Sequence, residues 1–221
     1  MVLEQTAVEP FHKNGFVLGC EETREGVVID PGDDVELQLA AVKRHGLSIR
    51  HILLTHAHLD HVTGVARAKQ ALGVPVWLHR DDNVLYESVV QQGLAFGIPV
   101  APQPPIDRFY EGEGPLRFGR YAVRVLHTPG HCPGGVCLAV SRDTKEPNPR
   151  ATLLVGDTLF AGSIGRTDLP GGSFEQLERS IHQRLFPLGD SLDCHTGHGP
   201  PTTIGWERQH NPFVGERARL T

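Results

Sequence analysis

The segment Thr55-His56-Ala57-His58-Leu59-Asp60-His61 constrains this chain more than any other, because it gathers three histidines and a carboxylate into one short stretch. The run before it, His51-Ile52-Leu53-Leu54, reads as a buried strand, so the histidines come straight off a strand end. In an extended stretch, side chains two apart point the same way, which predicts that His56, His58 and Asp60 share one face. His61 follows directly and points elsewhere, towards a second centre. Neutral imidazole and carboxylate are the usual ligands of zinc and of other divalent first-row metals. A polar loop entering a helix, with Asp60 near its N-terminus for dipole reasons, is the weaker reading. The segment is expected to bind metal.

At 221 residues the chain fits one large domain or a domain with a small appendage. A globule of that length buries roughly 70% of its unfolded surface, so its core needs neither disulfides nor metal for stability. The metal is then free to serve chemistry. The 21 Lys+Arg against 26 Asp+Glu leave a net charge of −5, which argues against a nucleic-acid partner. Met1-Val2-Leu3-Glu4-Gln5 lacks the basic start and apolar run of a signal peptide, and no apolar stretch approaches the ~20 residues of a membrane span. Cys20, Cys132, Cys137 and Cys194 are too scattered for a disulfide framework or a structural zinc. They are expected to be small, buried, reduced thiols of a cytoplasmic protein.

Along the chain, Phe16–Cys20 and Val27–Asp30 read as strands, and Val35–His45 as a helix after the turn Pro31-Gly32-Asp33-Asp34. Val62–Leu72 and Asp81–Phe96 read as helices, with Val76-Trp77-Leu78 a strand between them. The second half repeats the theme. Strands are expected at Tyr121–Leu126, Val136–Val140, Thr152–Val155 and Leu192–Cys194, and a helix at Ser173–Leu185. Two such halves suggest two sheets packed together with helices outside. His56–His61, His131, Asp157 and His198 all fall in loops just after strands, where residues distant in sequence can meet at one edge of a scaffold.

His131 lies in Thr128-Pro129-Gly130-His131, Asp157 in Gly156-Asp157-Thr158 and His198 in Gly197-His198-Gly199. With the first motif, from about Asp30 to His198, they resemble the metal signature of the metallo-β-lactamase superfamily. The resemblance implies an α+β fold, an αβ/βα sandwich of two mixed β-sheets flanked by helices, with the metals at one edge. Residues 1–221 would form a single domain of this kind. It also implies that His56, His58 and His131 hold one divalent ion and Asp60, His61 and His198 a second, with Asp157 bridging. Zinc is the expected metal, with iron or manganese as alternatives. The stretch Gly156-Asp157-Thr158-Leu159-Phe160-Ala161-Gly162-Ser163-Ile164-Gly165-Arg166-Thr167-Asp168 looks most like the glyoxalase II group (hydroxyacylglutathione hydrolases), especially its compact bacterial members.

That group implies hydrolysis of a small thioester such as S-lactoylglutathione by a metal-bridging hydroxide, with Asp60 the nearest group to accept or relay a proton. Arg166 offers a planar fork for a substrate carboxylate, and an ion pair with Asp168 is the competing use of the same fork. Asp30 is expected to brace the metal loops from behind. Typical members carry a C-terminal helical domain that helps to bind glutathione. Pro200–Asn211 supplies one short helix, so the glutathione grip is expected to be weak. His12, His45, His51, His79, His127, His182, His195 and His210 match no ligand position.

The main rival is a persulfide dioxygenase, which resembles glyoxalase II and shows the same Gly-Arg-Thr-Asp stretch. It would use one iron on His56, His131 and Asp157. Phe160-Ala161-Gly162-Ser163-Ile164 looks more hydrolase-like. A nuclease of the superfamily fits the negative charge poorly, and a purely structural site would close one metal with four ligands.

Overall fold

A computed structural model describes residues 1–112, 114–144, 151–216 and 218. The chain divides into two compact units. One is Met1–Glu111 with Arg117–Tyr121, the other Gly112–Leu116 with Ala122–Thr221.

In the first unit, β1 (Val2–Thr6), β2 (Gly15–Gly19) and β3 (Glu25–Ile29) pair antiparallel. β4 (Ser48–Leu53), β5 (Val76–Leu78) and β6 (Arg108–Phe109) then extend the sheet in parallel, each beside its predecessor. Parallel neighbours need crossover connections, and helices supply them. α1 (Val35–Arg44) joins β3 to β4, while α2 (Leu59–Val62) and α3 (Val65–Leu72) join β4 to β5. α4 (Asn83–Glu87) and α5 (Val89–Ala95) precede β6. β2 is buried along its whole length, which suits its unbroken apolar run Phe16-Val17-Leu18. Val17, Val28, Ile52, Leu54, Val62, Val76 and Leu78 belong to one core with Val35, Ala41 and Val42 of α1.

A buried ion pair links the β1–β2 connection to the turn after β3. Lys13 Nζ reaches Asp34 Oδ1 at 2.7 Å, with side chains only 3% and 1% exposed. The same ammonium donates to the Asp30 carbonyl, while Asp34 accepts from the Thr6 hydroxyl and from Gly32 N–H. Both charges are thus paired and hydrogen-bonded, as burial demands. Two of these partners, the Asp30 carbonyl and Gly32 N–H, are backbone groups of the turn that follows β3.

The second unit carries most of the second sheet, in which β7 (Leu116–Phe118), β8 (Tyr121–His127), β9 (Val136–Arg142) and β10 (Ala151–Gly156) are successive neighbours. The two-stranded ribbon β11 (Leu159–Phe160) with β12 (Ser163–Ile164) stands apart from this sheet. β13 (Asp193–Thr196) adds to β10 in parallel, and β14 (Thr202–Thr203) closes the order β14-β13-β10-β9-β8-β7. α6 (Phe174–Ser180) is capped by Ser173, whose hydroxyl accepts from Gln176 N–H at 3.3 Å. α7 (Ile204–His210) is capped in the same way by Thr203. Leu153, Val155, Leu159, Leu177, Ile181, Cys194 and Ile204 form the core of this unit.

The fold is therefore α+β, with two mixed six-stranded sheets and flanking helices, as expected from the sequence. Three helices depart from the expected spans. The predicted helix 62–72 begins earlier, at Leu59, and breaks at Gly64, where a Cβ would sit 2.3 Å from the Gly32 carbonyl. The predicted helix 81–96 breaks at Ser88, whose Oγ bonds the Leu85 carbonyl at 2.8 Å and competes for the helical ladder. The expected helix 173–185 turns from α to π geometry at Ile181. All four cysteines are buried and none is in a disulfide among the described residues, and burial pushes the Cys137 thiol up to about 11.

Candidate metal centre

Within the first unit, β3 and β4 run in parallel, so the loops leaving their ends emerge at one sheet edge. The first carries Asp30, the second His56 to His61. Asp30 is buried and takes the left-handed φ of 48°, which turns its carboxylate back on the neighbouring loop. Oδ1 accepts from Thr55 N–H at 2.7 Å, and Oδ2 from the Thr55 hydroxyl at 2.6 Å and from His61 Nδ1 at 3.0 Å. This is the bracing role expected of Asp30.

The loop is anchored at every second amide. Thr55 N–H goes to Asp30, Ala57 N–H to Asp82 Oδ2 at 3.0 Å, and Leu59 N–H to Gln92 Oε1 at 3.0 Å. Gln92 Nε2 also donates to the carbonyls of Ala57 and Leu85. The intervening residues, His56 and His58, carry the imidazoles, whose ring centroids lie 4.9 Å apart. The expected sharing of a face holds for these two but not for Asp60. The backbone turns helical at Leu59, with His58 the last extended residue at ψ 149°, and Asp60 therefore sits in the first turn of α2. There its Oδ2 lies 3.6 Å from His61 Nε2, pairing the two residues assigned to the second ion. Ligand-capable atoms of His56 and His58, of His56 and His61, and of Asp60 and His61 all fall within 4.8 Å of each other.

In the second unit, β10 and β13 are parallel and β9 runs antiparallel to β10. The ends of β10 and β13 and the start of β9 thus share an edge. Asp157, His198 and His131 occupy the three loops found there. Asp157 Oδ2 lies 3.6 Å from His131 Nε2 and 3.5 Å from His198 Nε2. These separations are too long for hydrogen bonds. They match the roughly 3.3 Å between two ligands held at about 2.0–2.1 Å around a tetrahedral zinc.

Glycine makes the approach close. A Cβ at Gly197 would stand 2.0 Å from Asp157 Oδ1, and one at Gly165 would stand 1.9 Å from the Asp157 carbonyl. In the first unit, a Cβ at Gly32 would likewise meet the Asp60 carbonyl at 1.9 Å.

The donor set suits divalent metal in chemistry as well as spacing. A metal-binding histidine usually fixes its tautomer through the other ring nitrogen. His61 Nδ1 is on Asp30, and His131 Nδ1 is 2.8 Å from the Arg166 carbonyl. His56 Nδ1 is 3.1 Å from the Thr55 hydroxyl, which already donates its proton to Asp30. Each interaction leaves Nε2 as the ligating nitrogen.

Of the two uses open to its fork, Arg166 makes the ion pair with Asp168. Its guanidinium grips Asp168 through Nε and an Nη, both at 2.8 Å. The pair is exposed, and Arg166 holds the Asp168 carboxyl down to about 2. The histidines outside the signature have other duties. His45 pairs with Glu4, His51 accepts from Trp77 Nε1, and His127 Nε2 lies 2.9 Å from the Pro133 carbonyl. Asp82 and Gln92 escaped sequence reasoning, because an acid and an amide in a helical stretch carry no mark of which loop they hold.

A mixed-sheet fold with histidine and aspartate loops at its strand ends defines a class of divalent-metal proteins, and comparison with known families agrees. The model of the metallo-β-lactamase superfamily matches residues 9–192, across both units, and the chain belongs to that superfamily. Its members include metal-dependent hydrolases. Hydroxyacylglutathione hydrolase GloC of Haemophilus influenzae is 35% identical over 99% of this chain and 100% of its own length. Among solved structures, the B3 metallo-β-lactamase BLEG-1 superposes with a TM-score of 0.85 at 37% identity, covering 96% of this chain and 99% of that one. TTHA1623 in a di-iron-bound form superposes with a TM-score of 0.80 at 39% identity, covering 95% and 99%. No helix among the described residues is long and apolar enough to cross a membrane.

Proposed function

We propose that the chain is a metal-dependent thioester hydrolase of the hydroxyacylglutathione hydrolase type, acting as one domain on a small-molecule substrate in the cytoplasm. His56, His58 and His131 would hold one divalent ion, Asp60, His61 and His198 the other, and Asp157 would bridge them. The observation that carries this reading is the acid at position 157, with one oxygen within 3.6 Å of both His131 Nε2 and His198 Nε2. An anionic bridge favours two cations side by side. Zinc is the favoured metal, and the di-iron form of TTHA1623 supports iron as an alternative.

Bound ions of this kind supply Lewis-acid activation of water and of a carbonyl. The protein's part is to turn Nε2 of His56, His61 and His131 towards the metals, and Asp60 would stand beside the reacting water, where its carboxylate could accept a proton. No strong general acid is required. The leaving thiolate comes from a thiol with pKa of about 8.5 and departs unprotonated, whereas an amide would need a proton donor. Arg166 would serve a substrate carboxylate by exchanging it for Asp168, since both present the same pair of oxygens to the guanidinium fork.

The 35% identity to GloC supports the thioester as substrate. The likeness to BLEG-1 supports a second reading, β-lactam hydrolysis. Three assays on the zinc- and iron-loaded protein separate the choices. Cleavage of S-lactoylglutathione without oxygen is the expected result. Hydrolysis of a chromogenic cephalosporin without thioester cleavage would favour the lactamase. Iron-dependent oxygen uptake with glutathione persulfide, and no thioester cleavage with either metal, would make the protein a dioxygenase.

A further inference from the structure

The β11–β12 ribbon begins two residues after Asp157, and the loop of His198 ends at β14. A single carboxylate ties their far ends together. Glu207, on α7, has no exposed surface. Its Oε2 accepts from Gly162 N–H, at the turn of the ribbon, at 3.0 Å. Its Oε1 accepts from the Thr202 hydroxyl, on β14, at 2.5 Å. Asn211, one helical turn later, donates to Glu207 Oε2 at 2.7 Å and to the Ser163 carbonyl at 2.9 Å. A buried carboxylate is costly unless its lone pairs are met, and here they are met by Asn211 and by one group from each of the two ligand-bearing segments.

The tie continues to the ligands themselves. The ribbon places Phe160 edge-on to the His198 ring, with centroids 6.0 Å apart. Thr196 Oγ donates to the His198 carbonyl at 2.7 Å, and Gly197 N–H donates to the Gly156 carbonyl at 2.7 Å. The Asp157 and His198 loops are therefore joined at their bases by the sheet and at their far ends by Glu207.

We infer that Glu207 is a positioning residue for the second metal ion, setting the spacing between Asp157 and His198 without touching either. The inference rests on the dinuclear reading above. Removing the tie should loosen the ion held by Asp60, His61 and His198 and spare the one held by His56, His58 and His131. Outer partners of metal ligands typically control about 10–100-fold in affinity.

The test is titration of metal-free full-length protein with zinc against a chromophoric chelator, which reads both ions without recourse to activity. The wild type should bind two ions. Glu207→Ala should keep one binding constant unchanged and weaken the other by about 10–100-fold. Glu207→Gln should restore it, because its amide oxygen can accept from Gly162 and Asn211 while its NH2 donates to the Thr202 oxygen. Thr202→Val removes one contact and suits a strand, so it should weaken the second ion several-fold even if Glu207→Ala does not fold. Unchanged constants in Glu207→Ala or, failing that variant, in Thr202→Val would overturn the role of Glu207 and leave the dinuclear reading intact. A wild type that binds only one ion would instead overturn the dinuclear reading, and this inference with it.

Discussion

A methyl group at position 197 would stand 2.0 Å from Asp157 Oδ1, far inside van der Waals contact. Gly197→Ala should therefore displace the Asp157 carboxylate, the proposed bridge, and lower metal affinity by about 10–100-fold, while leaving the β13 pairing in place. Elemental analysis after dialysis checks this, and full retention of metal would refute it. At Arg166 the expected effect is on binding. Arg166→Ala should raise KM for a carboxylate-bearing thioester and leave kcat nearly unchanged, because it removes an interaction equal in ground and transition states. The pH dependence has a definite sign. Asp168 is held down to about 2 in the folded protein, so the pair persists above the ordinary carboxylate range and opens only as pH falls through about 2. The KM effect should accordingly be flat between about pH 5 and 8. A fall in kcat alone would remove Arg166 from the substrate site.

The strands and the ligand loops were the most legible elements. Val76–Leu78 has the expected bounds, and the helix from Val35 ends within a residue of its expected end. Their apolar periods are strong and local. What escaped was set by contacts distant in sequence. β1 is a short edge strand of mixed residues whose existence depends on pairing with β2. The geometry of Asp60 depends on where α2 starts, and alternation alone cannot place that start. The grip of α5 on the metal loop is equally long-range, since Gln92 lies 33 residues from Leu59. Gln92→Ala would strip partners from Leu59 N–H and from the Ala57 and Leu85 carbonyls. It should cost about 1–3 kcal/mol, because partly buried polar groups lose their bonds. Urea unfolding of the metal-free protein measures this directly. An unchanged midpoint would show that solvent replaces the side chain at no cost.

On the scale of the whole chain, each unit has its own apolar core, and neither core includes a candidate ligand. Removing metal with a chelator should therefore leave far-UV circular dichroism almost unchanged. Zinc should then raise Tm in proportion to the logarithm of its free concentration, as for any ligand that binds only the folded state. Loss of secondary structure on chelation would mean that the metal is structural. The net charge of −5 sets no obstacle to a cationic ligand and gives no electrostatic footprint for nucleic acid. Substrate identity was the least legible property, because it depends on how loop side chains are partnered in three dimensions, as the pairing of Arg166 with Asp168 illustrates.

The buried pair Lys13–Asp34 has a consequence for divergence within the family. A buried ion pair can often be exchanged for two apolar residues at little cost, which opens a neutral evolutionary route. That route is closed here, because the ammonium also serves the Asp30 carbonyl and the carboxylate also serves Gly32 N–H. An apolar double replacement would strand two main-chain groups in the very turn that aims Asp30 at Thr55 and His61. A relative that has lost the lysine must bring another donor to that carbonyl. The two positions are thus expected to drift together through polar pairs and never through hydrocarbon.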